Sequence, residues 1–174
     1  MILDVVNKVL AIGTIGSQIF IVLAIIYIIL PYKNKNISNF FAKNGILFVF
    51  FVALASVSGS LFYSNYIGYP PCPLCWFQRI FIYPEVILLG LALLKKNDKN
   101  IIDYSLTLSV IGLLISVYQN YIVFNGLHST VCTISEPCTI NYVLEYGYIT
   151  IPMMALTSFV LTILLLTIAK YGNK

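Results

Sequence analysis

The feature that most constrains this chain is a series of long apolar stretches almost free of charge. Five of them, at about 9–30, 45–63, 76–94, 101–122 and 149–169, approach the roughly 20 residues with which an α-helix crosses a hydrocarbon core. Only 9% of the 174 residues are charged, against about 25% in an ordinary soluble domain, so most of these stretches cannot be hidden from lipid inside a water-facing shell. Unpaired backbone groups are costly in hydrocarbon, and each stretch is therefore expected to be a helix. The expected fold is an all-α integral membrane protein.

The cations indicate how the spans alternate. Lys33, Lys35 and Lys43 follow the first stretch, Lys95, Lys96 and Lys99 follow the third, and Lys170 and Lys174 follow the fifth. If the spans simply alternate, all eight fall on one side, leaving Lys8 and Arg79 for the other. The positive-inside rule then puts the N-terminus outside and the C-terminus in the cytoplasm. The net charge of +4 is thus an orientation signal and no sign of nucleic acid. The first stretch is too long for a signal-peptide core, its stronger positive flank is C-terminal, and no small-x-small site follows it, so an uncleaved anchor is expected.

With that orientation the two outer loops, 64–75 and about 123–148, hold all four cysteines, on the side where disulfides persist. Cys72 and Cys75 stand in Pro70-Pro71-Cys72-Pro73-Leu74-Cys75-Trp76-Phe77-Gln78-Arg79. So small a ring adds little loop-closure stabilisation but makes a fast dithiol–disulfide switch. The prolines suit an approach and a first helical turn, and a helix N-terminus favours the thiolate, the reactive form. Arg79, four residues beyond Cys75, lies one turn deeper on the same face. There it can favour a thiolate and donate to an electron acceptor, or it can anchor the helix by snorkelling to headgroups.

Cys132 and Cys138 enclose five residues that include Pro137, with Gly126, Ser129 and Thr130 upstream. A structural loop disulfide is one reading. The other is a pair that exchanges with a protein partner and relays electrons to the membrane pair. A zinc site is disfavoured by the x5 spacing and by the lack of an adjacent His. The chain carries no haem-attachment motif and no Gly-x-Gly-x-x-Gly site, so an acceptor dissolved in the bilayer, such as a quinone, is the simplest expectation.

These residues resemble the DsbB family of disulfide-bond-forming membrane proteins, in particular its BdbC-type branch. The resemblance lies in Ser60-Leu61-Phe62-Tyr63-Ser64, in Pro71-Cys72-x-Leu74-Cys75-Trp76-Phe77-Gln78-Arg79-Ile80, in Tyr83-Pro84, in Cys132-x5-Cys138 and in Gly147-Tyr148-Ile149-Thr150-Ile151-Pro152. It covers roughly residues 39–170. It implies a four-helix transmembrane bundle over 39–174, with residues 1–38 as an extra N-terminal transmembrane helix and cytoplasmic linker. It also implies roles: Cys132 is attacked by a DsbA-like thioredoxin-fold partner, Cys138 passes electrons to Cys72, Cys75 reacts with the quinone (ubiquinone or menaquinone), and Arg79 lies near a quinone oxygen. The setting it implies is a bacterial cell membrane crossed several times.

The chain departs from that pattern in three ways. The first span has no counterpart in the usual four. Many members carry a His near the outer end of the span that is fourth here, where this chain has Tyr118-Gln119-Asn120-Tyr121 and His128 lies farther along. Glu85 falls near mid-bilayer, either as a functional acid or as a protonated group bonded to a carbonyl freed by Pro84. Vitamin K epoxide reductase-like proteins also combine a loop pair with a membrane Cys-x-x-Cys, but in the opposite chain order. A reading from another class is a scaffold whose two loop disulfides are inert.

Overall fold

The structure is a computed structural model that describes residues 2–29, 35–95, 99–127, 131–132 and 138–171. Pro31, expected to close the first span, lies outside the described residues, as do Lys33, Lys96, Lys174, His128, Ser129, Thr130 and Pro137. Five helices account for most of the described chain: α1 (Ile2–Ile29), α2 (Lys35–Leu61), α3 (Pro73–Leu94), α4 (Lys99–Asn125) and α5 (Ile151–Tyr171). All five contain a segment long and apolar enough to cross a membrane.

Several helices outrun the apolar stretches that announce them. Hydropathy marks the part of a helix that lies in lipid, whereas Asp4, Asn7 and Lys8 at the start of α1 are compatible with helix and continue it. The ends that do stop have visible causes. Thr150 caps α5, its Oγ1 accepting from the Met153 backbone N–H at 3.4 Å, and Pro152 occupies the first turn, where no helical donor is lost. Ahead of it, Glu145 and Ile149 pair across a tight turn that places Tyr146 and Gly147 at φ 50° and 80°. The end of α2 widens into one π-helical turn, Phe62–Tyr66, closed by Ile67 N–H donating to the Phe62 carbonyl at 3.1 Å.

Helix α2 packs on α3 and α5, and α4 packs on α3 and α5, so α2 to α5 close into a four-membered ring with α1 outside it against α5. Small residues set the close approaches. At Gly112 of α4 a Cβ would run into the ring of Phe159 of α5, and at Gly45 of α2 it would lie 2.9 Å from Ala169 Cβ, as expected where helix association depends on backbone proximity and van der Waals fit. Polar ties supplement this: Ser56 donates to Ser158 at 2.9 Å, and Asn120 Nδ2 donates to the Pro152 carbonyl at 2.9 Å. Lys170 pairs with Asp103, joining the end of α5 to the start of α4. The outward face of α1 is apolar and exposed, with Val5, Ile12, Ile19 and Val22 presented to lipid.

Candidate redox site at the N-terminus of the third helix

Chain geometry alone assembles the first cysteine pair. Pro70 and Pro71 lead into α3, and Cys72 is the N-cap residue in extended conformation at φ −66°, ψ 162°. Its sulfur takes the place of the usual hydroxyl or carboxylate oxygen, accepting from the Cys75 backbone N–H at 3.4 Å. Pro73 fills the first helical position, where its missing N–H costs nothing. The two Sγ atoms are thereby brought to 2.8 Å, both as free thiols. The hydrogen bond with Cys75, reinforced by burial, pushes the Cys72 thiol well above the ordinary thiol range.

A glutamine from α4 reaches both sulfurs. Gln119 Nε2 donates to Cys72 Sγ and to Cys75 Sγ, each at 3.3 Å, and its Oε1 accepts from Gln78 Nε2 at 2.7 Å. Gln119 is almost wholly buried (1% exposed), so its amide orientation is set by Gln78 and not by water. Sequence reasoning noted Gln119 only as a position lacking His, and it gave neither Gln78 nor Ser60 a part in the cysteine chemistry. The available signal was the spacing: Ser105, Ser109, Ser116 and Gln119 recur at helical intervals on α4, and all are buried.

Arg79 is also buried, at 8% exposure. Its Nε donates to Ser60 Oγ at 2.9 Å and its Nη2 to the Ser60 carbonyl at 3.1 Å, while the guanidinium sits 5.1 Å from the Trp76 ring centroid. The side chain thus turns inward to α2 instead of snorkelling to headgroups. Cys72, Cys75, Gln78, Arg79 and Gln119 together line a cavity of about 420 Å³, within the range of small-molecule sites.

The second pair, Cys132 and Cys138, is a disulfide with its Cα atoms 5.7 Å apart. Cys138 is buried in one cluster with Cys72, Leu74 and Ile122, and Cys75, Ile115 and Cys132 pack at its edge. The four sulfur-bearing residues therefore meet at one end of the bundle. The residues after Cys138, including Ile140 and Tyr142, join the cavity wall. Tyr142 stacks on Tyr69 at 4.6 Å, and Tyr69 on Tyr63 at 6.2 Å, fastening this loop to the approach of α3 and the end of α2.

Glu85 stands apart from this group. It is completely buried, and its carboxyl takes the hydroxyl of Ser109 on α4 rather than a carbonyl freed by Pro84. It does not line the cavity.

Known proteins resemble this chain over the same region. A family model for "Disulfide bond formation protein DsbB" matches residues 42–169, leaving α1 outside. A "Probable disulfide formation protein" from Oceanobacillus iheyensis is 38% identical over 138 residues, 76% of this chain and 94% of the relative. "Disulfide bond formation protein C" from Bacillus subtilis is 37% identical over 139 residues, 76% of this chain and 98% of its own. The "SPbeta prophage-derived disulfide bond formation protein B" of the same organism is 42% identical over 122 residues, 70% and 82% of the two chains. No solved structure matches. The chain belongs to the DsbB family of disulfide bond formation proteins, and its role is in disulfide formation at a membrane.

Proposed function

We propose that this chain reoxidises an extracytoplasmic, DsbA-like thioredoxin-fold protein and delivers the electrons to a membrane quinone. The observation that carries this reading is that Cys138 and Cys72 share one buried cluster and both line the cavity that Cys75 and Arg79 also line. Residues 39–174 carry the chemistry in this reading and residues 1–38 are an addition to it. Lys43, Lys95 and Lys170 sit towards the helix ends remote from the cysteines. The positive-inside rule accordingly favours extracytoplasmic cysteines, an outer N-terminus and a cytoplasmic C-terminus in a bacterial cell membrane.

The sulfur chemistry runs by thiolate attack. A partner thiolate attacks Cys132 Sγ, forming a mixed disulfide and releasing Cys138 as the thiolate. The partner's second thiolate then resolves that bond, and the partner leaves oxidised. Cys138 attacks Cys72 of an oxidised Cys72–Cys75 pair, and Cys75 departs as the thiolate. Cys132 attacks Cys138, restoring the loop disulfide and freeing Cys72. The net result is two electrons moved from the partner to Cys72 and Cys75.

The cavity fits an acceptor with a flat polar head: it has apolar walls, a buried guanidinium and the Gln119 amide beside Cys75. A bound quinone supplies the capacity to take two electrons and two protons. Arg79 holds positive charge where an acceptor oxygen gains electron density, Gln119 orients both sulfurs, and Ser60 fixes the guanidinium.

The test is quinone reduction by the purified full-length chain with a reduced thioredoxin-fold protein as donor, run beside Cys72→Ser. Donor-dependent quinol formation that Cys72→Ser abolishes is expected. Cysteines that stay oxidised whatever the donor would favour the inert scaffold.

A further inference from the structure

Helix α1 falls outside the family match, and the relay above gives it no part. Its placement is nevertheless specific. Near its start Asn7 Oδ1 accepts from Tyr63 Oη at 2.8 Å. Three turns later Gln18 Nε2 donates to Thr157 Oγ1 at 3.1 Å, and Gln18 Oε1 accepts from Tyr148 Oη at 2.9 Å. These bonds reach α2, α5 and the loop before α5, and in a low-dielectric setting they fix both the rotation and the height of α1. The α1 residues that line the cavity, Val9, Leu10, Gly13, Thr14 and Ser17, all fall between the two anchors. Ala55, Ser56, Gly59 and Ser60 of α2 line it across from them.

At Gly13, Thr14 and Ser17 α1 presents little bulk. A Cβ at Gly13 would meet nothing within 4 Å, and the hydroxyls of Thr14 and Ser17 bond back to their own helix at Leu10 and Gly13, 2.8 Å each. The α1 wall is therefore smooth, and its polar groups are already satisfied. On α5, Met154, Ala155 and Ser158 complete the lining beside α2.

We propose that α1 is the outer wall of the acceptor cavity, and that the space left at Gly13 and Ser17 determines how tightly a quinone head group is held there. This rests on the quinone reading above and names the element that sets acceptor affinity. Side-chain bulk at these two positions competes with a bound acceptor for room.

The experiment measures binding directly. Trp76, the chain's single tryptophan, adjoins Arg79, so a quinone bound in the cavity quenches its fluorescence. Saturable quenching by a short-chain ubiquinone and by a short-chain menaquinone is measured on the full-length, detergent-solubilised chain and on Gly13→Leu, Ser17→Leu and Gly16→Leu. Gly16 also has open space around its Cβ position but does not line the cavity. The reaction of Cys132–Cys138 with dithiothreitol, followed by alkylation, checks that each variant is folded at the cysteine end.

Gly13→Leu and Ser17→Leu are expected to raise the quinone Kd by roughly tenfold or more, the scale of an overpacked contact, with Gly16→Leu and the loop-disulfide reaction unchanged. Either cavity variant suffices should the other fail to fold. Wild-type affinity in both would overturn the assignment of α1 while leaving the quinone reading in place. An equal loss in Gly16→Leu would overturn it too, because bulk anywhere on α1 would then be the cause. If the wild-type chain shows no saturable quenching by either quinone, the acceptor reading fails and this inference falls with it.

Discussion

Gln119 offers the sharpest perturbation of the cysteine centre. Its amide donates to both sulfurs at 3.3 Å and accepts from Gln78 at 2.7 Å. Gln119→Glu keeps the size and the acceptor for Gln78 but removes both N–H donors and brings a carboxyl beside the sulfurs. A hydrogen bond to a charged group contributes about 1.5–3 kcal/mol, and about 1.4 kcal/mol corresponds to a tenfold change in rate. Reoxidation of the prereduced pair passes through a thiolate on Cys72 or Cys75, so its reaction with quinone should slow by roughly ten- to a hundredfold. Gln119→Leu should slow it similarly and in addition leave the Gln78 amide unpaired, at a stability cost of about 1–3 kcal/mol. Rapid-mixing measurement of quinol formation from prereduced protein reads the rate, and thermal melting of the Leu variant reads the lost Gln78 bond. Wild-type reoxidation by Gln119→Glu would refute the role given to Gln119.

The raised Cys72 thiol has a pH consequence. A thiol held above the usual value of about 8.5 stays protonated at neutral pH and gains thiolate only as pH rises beyond that value. With the loop disulfide intact, alkylation at Cys72 followed by mass spectrometry should therefore keep accelerating above pH 9, and a plateau below that pH would contradict the assignment. Gly112→Ala should lower the detergent melting temperature, since the Phe159 ring occupies the space a Cβ needs and overpacking costs about 1–3 kcal/mol; an unchanged melting temperature would show that α4 and α5 separate more easily than their packing indicates.

Much of the fold was legible because hydrocarbon leaves the backbone little choice. Charge-poor stretches of spanning length mark five helices, and the prolines before Cys72 mark the start of α3. What hydropathy does not report is where a helix ends outside lipid, which is why α1 begins near Ile2 and α4 continues to Asn125. The π-helical turn at Phe62–Tyr66 leaves no mark in the apolar pattern either. Within the site, the spacing of Cys72, Cys75 and Arg79 could be read from helical geometry. The inward turn of Arg79 to Ser60 could not, because snorkelling and burial share the same sequence. Gln119 is 44 residues from Cys75, and only the α3–α4 packing joins them. The burial of Cys138 in one cluster with Cys72 likewise depends on how the loop before α5 is fastened by the Tyr63–Tyr69–Tyr142 stack.

The most direct measurement is a trapping experiment on the full-length chain carrying Cys75→Ser and Cys132→Ser, which leaves one sulfur from each pair. Under mild oxidation in membranes, followed by alkylation and mass spectrometry, the expected product is a Cys72–Cys138 disulfide formed within a single chain. Two separately alkylated thiols, or a disulfide found only between chains, would contradict direct transfer between the loop pair and the helix pair.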